Sequence, residues 1–236
     1  MKKLSLFVFL LSMFAQDGLS KCALQRIKIL PASGLVSKNQ VFVLNVGLHL
    51  EAEVLSIIQN NQIYLKSFDS RIPLAFCQIN PGVMQVQIVL YNIKPLNELV
   101  SYKIIIDEND KHHLRIKDHP FWMCKDYSKQ KKEEKLKVRL TGSSSPPYFH
   151  CGSSQKIYFE ISPAQNHISL IDVRVFNLKT KSYKIFITEV TDRQHFSIGF
   201  SCYGNFMFSR KGNYSISFKP IGAADWSADL PFGTPW

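Results

Sequence analysis

The sequence predicts an all-β protein folded as two β-sandwiches. Three observations carry that expectation. Short runs rich in Val, Ile, Phe and Tyr recur along most of the chain between turn residues, and several alternate apolar and polar positions with the two-residue period of a half-buried strand. No segment beyond the N-terminus has the apolar spacing of a long amphipathic helix. One charged stretch with almost no apolar content divides the runs into two sets of similar size.

The N-terminus reads as an export signal. Lys2 and Lys3 precede an apolar run from Leu4 to Ala15, broken only by Ser5 and Ser12. That order is the one a secretory signal peptide requires, and the run is shorter than the roughly 20 apolar residues that span a bilayer as a helix. Gly18 and Ser20 are the small residues a signal peptidase reads when it cuts before Lys21, so residues 1–20 are expected to be removed. Cys22 follows at once. Leu19 and Ser20 match a bacterial lipoprotein signal, but Lys21 stands where a small residue should precede the lipidated cysteine. The mature chain is expected to be secreted or periplasmic, with a lipid anchor at Cys22 as the alternative. No second long apolar run follows, so no transmembrane segment is expected in it.

Strand candidates in the first half are residues 25–30, 40–48, 54–58, 62–68, 72–78, 83–91, 100–107 and 112–117. Ala52 to Gln59 also reads as one or two helical turns, because Glu51-Ala52-Glu53 lacks strand chemistry. The second half offers 136–141, 156–161, 168–176, 182–190, 195–202, 205–209 and 214–220. There Tyr214, Ile216 and Phe218 share one face of a strand, as do Tyr183, Ile185 and Ile187. Between the halves lies Lys125–Lys137, KDYSKQKKEEKLK, where Asp126, Glu133 and Glu134 interrupt the positive charge and favour a solvated linker. The expected domains are 21–124 and 138–222, joined by the linker 125–137 and followed by a C-terminal tail, 223–236. Strand number and turn spacing suit immunoglobulin-like or related sandwiches.

Five cysteines remain after cleavage: Cys22, Cys77, Cys124, Cys151 and Cys202. An oxidising compartment favours pairing. Cys151 precedes an early strand of the second half and Cys202 ends a late one, the placement that bridges the two sheets of a sandwich. They are expected to pair. In the first half the sequence does not choose among three cysteines; Cys77–Cys124 is the assignment, leaving Cys22 over. No CxxC spacing supports a zinc site.

Catalytic signatures are lacking. His112, His113, His119 and Cys124 are a tempting metal set, but adjacent histidines on a strand point to opposite faces. Asp107-Glu-Asn-Asp110 lacks the spacing of an EF-hand loop and reads as an acidic hairpin turn. Neither Gly142-Ser-Ser-Ser-Pro-Pro147 nor Gly152-Ser-Ser154 is a Gly-x-Ser-x-Gly elbow. His150 beside Cys151 diverges from it on an extended chain. No enzyme, cofactor or metal is expected. Asn213-Tyr-Ser215 is an N-glycosylation acceptor wherever the secretory route is eukaryotic. Trp226, Phe232 and Trp236 fall in the tail, which reads as an extended partner-binding segment given Pro231 and Pro235, or else as a segment folded onto its own domain.

Charge completes the reading. With 29 Lys+Arg against 18 Asp+Glu the net charge is +11; such a balance favours acidic partners, but its dispersal favours a charge that simply keeps the protein soluble, and no specific nucleic-acid partner is expected. The expected function is that of an exported, non-catalytic binding or adhesion protein contacting a protein or glycan through sandwich edges or loops. One alternative is a periplasmic assembly chaperone acting by β-strand addition. The chain resembles pilus chaperones only in outline, since their carboxylate-anchoring arginine and lysine pattern is not found. The other alternative is a secreted hydrolase with dispersed catalytic residues. An outer-membrane barrel is disfavoured because Gln40–Leu48 and Val83–Tyr91 do not sustain the required alternation.

Overall fold

Strands make up nearly all of the regular structure, as the alternation demands. The computed structural model describes residues 26–32, 34–82, 85–106, 115–116, 120–125, 136–145, 155–162, 168–191, 194–200, 206–209 and 211–234. The first half folds as β1 (Arg26–Leu30), β2 (Gly34–Val36), β3 (Val41–Gly47), helix α1 (Glu51–Gln59), β4 (Ile63–Lys66), β5 (Arg71–Pro81), β6 (Gln85–Asn92), β7 (Ser101–Ile106), β8 (Arg115–Ile116) and β9 (Phe121–Cys124). These form a nine-stranded sheet in the order β2-β9-β7-β4-β5-β6-β3-β1-β8.

The sheet becomes two layers through β5. Its start, Arg71–Pro73, pairs with β4, and the rest, from Leu74, pairs with β6. The core lies between the layers: Phe42, Leu44 and Ile88 face Tyr102, Ile104 and Trp122. Phe42 meets Trp122 edge-on at 4.9 Å between ring centroids. The helical reading of Ala52–Gln59 holds and the strand candidate 54–58 does not: the segment is helical from Glu51, with Val54, Ile57 and Ile58 buried at the three- and four-residue spacing of one helix face. Glu51 and Glu53 sit in its first turn, where they complement the helix dipole, and Asn61 at φ 55 stops it in the left-handed region.

The second half folds as β10 (Lys137–Ser144), β11 (Gln155–Ser162), β12 (Leu170–Asn177), β13 (Ser182–Glu189), β14 (His195–Phe200), β15 (Asn213–Pro220) and β16 (Leu230–Gly233). A three-stranded sheet, β10-β11-β14, packs on a four-stranded one, β13-β12-β15-β16. Phe159 from one sheet lies 4.9 Å from Phe218 of the other. Residues 206–209 carry buried Phe206 and Phe208 into this core without forming a strand.

The two sandwiches share one local device. In the first, the buried Tyr102 hydroxyl accepts the Asn97 N–H at 3.0 Å; in the second, the Tyr214 hydroxyl accepts the Ser209 N–H at 2.8 Å. In each the residue three before the tyrosine is left-handed, Leu99 at φ 61 and Lys211 at φ 51. A tyrosine bonded back to upstream backbone is the corner seen in immunoglobulin-type sandwiches.

The sandwiches also pack against each other. Strand β3 is buried on both faces: Phe42, Leu44 and Val46 enter its own core, whereas Val43 meets Leu30 and Val89 with Leu170 and Ile187 of the second half. At the centre Gln87 is 0% exposed. Its Nε2 donates to the Ile187 carbonyl at 2.7 Å and to Asn45 Oδ1 at 3.0 Å, while its Oε1 accepts the Ile187 N–H at 2.7 Å. The amide thus pairs with the free edge of β13 as a neighbouring strand would. Nearby, the Ala32 N–H donates to the Glu189 carboxylate.

The expected Cys77–Cys124 bridge is not formed. Cys77 is the extra residue of a bulge in β5 and is exposed, whereas Cys124 is buried at the end of β9 with its Sγ 3.6 Å from the Leu96 carbonyl. Cys77 lies in the part of β5 that pairs with β6 and faces solvent, whereas Cys124 of β9, in the other layer, is in the core, so the two side chains do not meet as a disulfide requires. Cys22, Cys151 and Cys202, the signal segment 1–20 and residues 126–135 of the linker lie outside the described residues.

Candidate functional site

Strand β9 presents an exposed apolar surface. In Phe121-Trp122-Met123-Cys124, alternation sends Trp122 and Cys124 into the core, both 0% exposed, and turns Phe121 and Met123 outward at 59% and 44%. Trp122 is anchored by its Nε1 donating to the Pro31 carbonyl at 2.9 Å, which fixes the strand's orientation. Leu35 of β2, 40% exposed, pairs with Met123, and Met123 in turn with Ser101. One row on, Phe121 pairs with Lys103, Lys103 with Lys66, and Lys66 with Arg71. The Arg71 guanidinium lies 5.1 Å from the centroid of the Tyr64 ring. The outer face of β2-β9-β7-β4 is therefore an apolar cluster, Leu35, Phe121 and Met123, beside a cationic row, Lys103, Lys66 and Arg71.

That arrangement has the composition of a binding surface. Aromatic residues, Met and Arg are the side chains enriched at protein interfaces, and contiguous exposed apolar surface marks such sites. Among the described residues no group of three His, Cys, Asp or Glu is placed to hold a metal ion. No helix of the described residues is long and apolar enough to cross a membrane.

The residues singled out from sequence are dispersed. Trp226 lies on the outer face of β12 and β15 beneath two cations, with Arg174 Cζ at 4.7 Å and Lys219 Nζ at 5.2 Å from the ring centroid. Its neighbour Ser227 is stapled to β15, accepting the Phe218 N–H through Oγ at 3.0 Å and donating its own N–H to the Phe218 carbonyl at 2.7 Å. Phe232 belongs to β16 and packs on Phe208 at 5.6 Å. Both are thus placed against the second sandwich, which continues past residue 222. Trp236, His112, His113, His119 and the 107–110 turn lie outside the described residues. Asn213 opens β15 with its side chain exposed. Leu35, Phe121 and Met123 escaped the sequence reading because their strands are only three and four residues long. The usable signal was the alternation within Phe121–Cys124, which forces two large apolar residues outward once Trp122 is buried.

Beneath Trp226, Lys219 reaches Asp172 at 3.5 Å. Burial raises the Asp172 pKa above its ordinary value, and Lys219 offsets part of that rise. A carboxyl with a raised folded pKa holds its proton more tightly when folded, so its contribution to stability declines as pH rises from the ordinary value through the raised one. Asp172→Asn is expected to gain on the parent across that window. Urea-unfolding free energies of both proteins at about pH 4 and about pH 7 check it, and a pH-independent difference would count against it.

No family model matches the chain, and no curated protein matches it. Among solved structures it is similar to a pullulanase type I from Bacillus subtilis str. 168 complexed with maltose, at 8% identity and a TM-score of 0.27, over 86% of this chain and 24% of that one. It is also similar to a pullulanase from Anoxybacillus sp. LM18-11 complexed with maltotriose, at 8% identity and a TM-score of 0.26, over 81% and 24% of the two chains. The chain thus spans about a quarter of the length of those enzymes, and likeness at this level carries no argument about fold or ligand.

Proposed function

We propose that this is an exported, non-catalytic binding protein of two immunoglobulin-like sandwiches, which docks a protein partner on the Leu35–Phe121–Met123 face. The supporting observation is the outward exposure of three large apolar side chains on one sheet beside a cationic row. A partner surface with an apolar centre and acidic rim would complement it. A face is favoured over strand addition because two of the available edges are obstructed. Strand β10 is interrupted by a register shift between Leu140 and Gly142, and β13 is capped by Gln87. The basic signal-like N-terminus supports export.

The experiment is site-specific photocrosslinking at position 121 in the source cells, followed by titration of the purified crosslinked partner. Phe121→Asp combined with Met123→Asp is expected to weaken that binding by about 100-fold, as loss of a central apolar anchor does. Tyr183→Asp on the second sandwich should leave it unchanged. Undiminished binding by the double variant defeats the docking face. Turnover of a hydrolase panel, abolished by one substitution, defeats the non-catalytic reading.

A further inference from the structure

A cleft of ≈ 470 Å³ opens at one end of the second sandwich, remote in sequence from the proposed docking face. That volume falls within the range of small-ligand sites. Its apolar lining comes from Leu178, Tyr214, Pro231 and Phe232, and its polar lining from Lys179, Lys211 and Asn213. Lys181 belongs to the same β12–β13 turn as Lys179. No carboxylate lines the cleft, and among the described residues none pairs with Lys179 or Lys211.

The walls are held before any ligand arrives. Asn177 Oδ1 accepts the Lys179 and Thr180 N–H groups at 2.9 and 3.1 Å, which fixes the turn. The Tyr214 hydroxyl is tied to Ser209, and the Gly212 N–H donates to Thr234 Oγ1 at 2.7 Å, which joins the β15 and β16 sides. Ordered walls reduce the entropy lost on binding. The exposed lysines supply positive charge with no paired carboxylate among the described residues, above a floor that suits an apolar side chain.

We infer that this cleft is a second binding site, for an acidic peptide segment that seats one apolar side chain between carboxylates. The ammonium groups of Lys179 and Lys211 would meet the carboxylates, and Phe232 and Pro231 the apolar side chain. An acidic glycan shares the charge but uses the apolar lining less well, which favours peptide.

The test is fluorescence anisotropy of the full chain with a fluorescein-labelled Glu-Asp-Phe-Asp-Glu peptide. Saturable binding is expected, weakened by about tenfold in Lys179→Ala/Lys211→Asn and further by salt. Asparagine is chosen at 211 because φ there is 51, a left-handed value that asparagine tolerates. An unchanged melting temperature would show the fold intact. Lys94→Ala, exposed on the first sandwich and outside the docking face, should leave peptide affinity unchanged, and crosslinking at position 121 is read separately, so failure here is distinguishable from failure of the docking face. Equal binding of Lys-Lys-Phe-Lys-Lys, an affinity indifferent to the double variant, or capture of oligogalacturonate in place of the acidic peptide each overturns the inference.

Discussion

Phe159→Ala is expected to destabilise the second sandwich by about 4 kcal/mol, the largest single effect in the molecule. Phe159 is 1% exposed and is the hub of three rings. It stacks on Phe196 at 5.2 Å and meets Phe218 edge-on at 4.9 Å, while Phe196 and Phe218 contact each other at 5.1 Å. Alanine removes the buried ring, leaves a cavity that two stiff β-sheets collapse into poorly, and deletes two aromatic pairs worth about 1 kcal/mol each. Urea unfolding followed by the fluorescence of Trp226 measures it. A loss below about 1.5 kcal/mol would mean that the neighbouring rings close the gap.

Gln87→Met is expected to cost about 3 kcal/mol and to loosen the two sandwiches from one another. Methionine keeps the volume but removes the amide that now bonds both the N–H and the carbonyl of Ile187. It also takes a donor from Asn45 Oδ1. Buried polar groups deprived of their partners lose more than the bonds contributed, and that asymmetry sets the magnitude. The readout is cooperativity. With the amide present, Trp122 in the first sandwich and Trp226 in the second should report one coincident transition. In the double variant with Phe159→Ala they should separate, the second sandwich unfolding first. Coincident transitions in the double variant would show that the apolar contacts of Leu30, Val43 and Val89 with Leu170 and Ile187 suffice to couple the halves.

Both predictions turn on features with different visibility in the chain. The core of the second sandwich could be read locally: Tyr214, Ile216 and Phe218 alternate, and all three are buried. The boundaries of β12, β13 and β15 fall within two residues of the expected ones. The helix over 51–59 was legible as a break in strand chemistry. Three short strands were not: β2, β9 and β16 have three or four residues each, too few for a period to show, and Pro231 in β16 masks strand character. Residues 205–209 were expected as a strand, but the described part, 206–209, contributes its aromatics from irregular chain.

What the sequence determined by itself was the class of the fold, because side-chain alternation is a local property that each strand carries independently of its neighbours. It also indicated a division into two halves, because a charged segment with almost no apolar residues has too little to bury to form a core strand. Only the tertiary structure decided which outward faces stay outward. The apolar run of β3, interrupted only by Asn45, has two buried faces, one against its own core and one against the second sandwich. Gln87 carries no local sign of burial, and becomes a fully buried amide of the interface once β13 lies beside it. Phe121 and Met123 drew no assignment from the sequence, and they stand on the surface because Trp122 and Cys124 occupy the inner side of the same four-residue strand. Burial depends on what a face meets, and that information lies in residues distant along the chain.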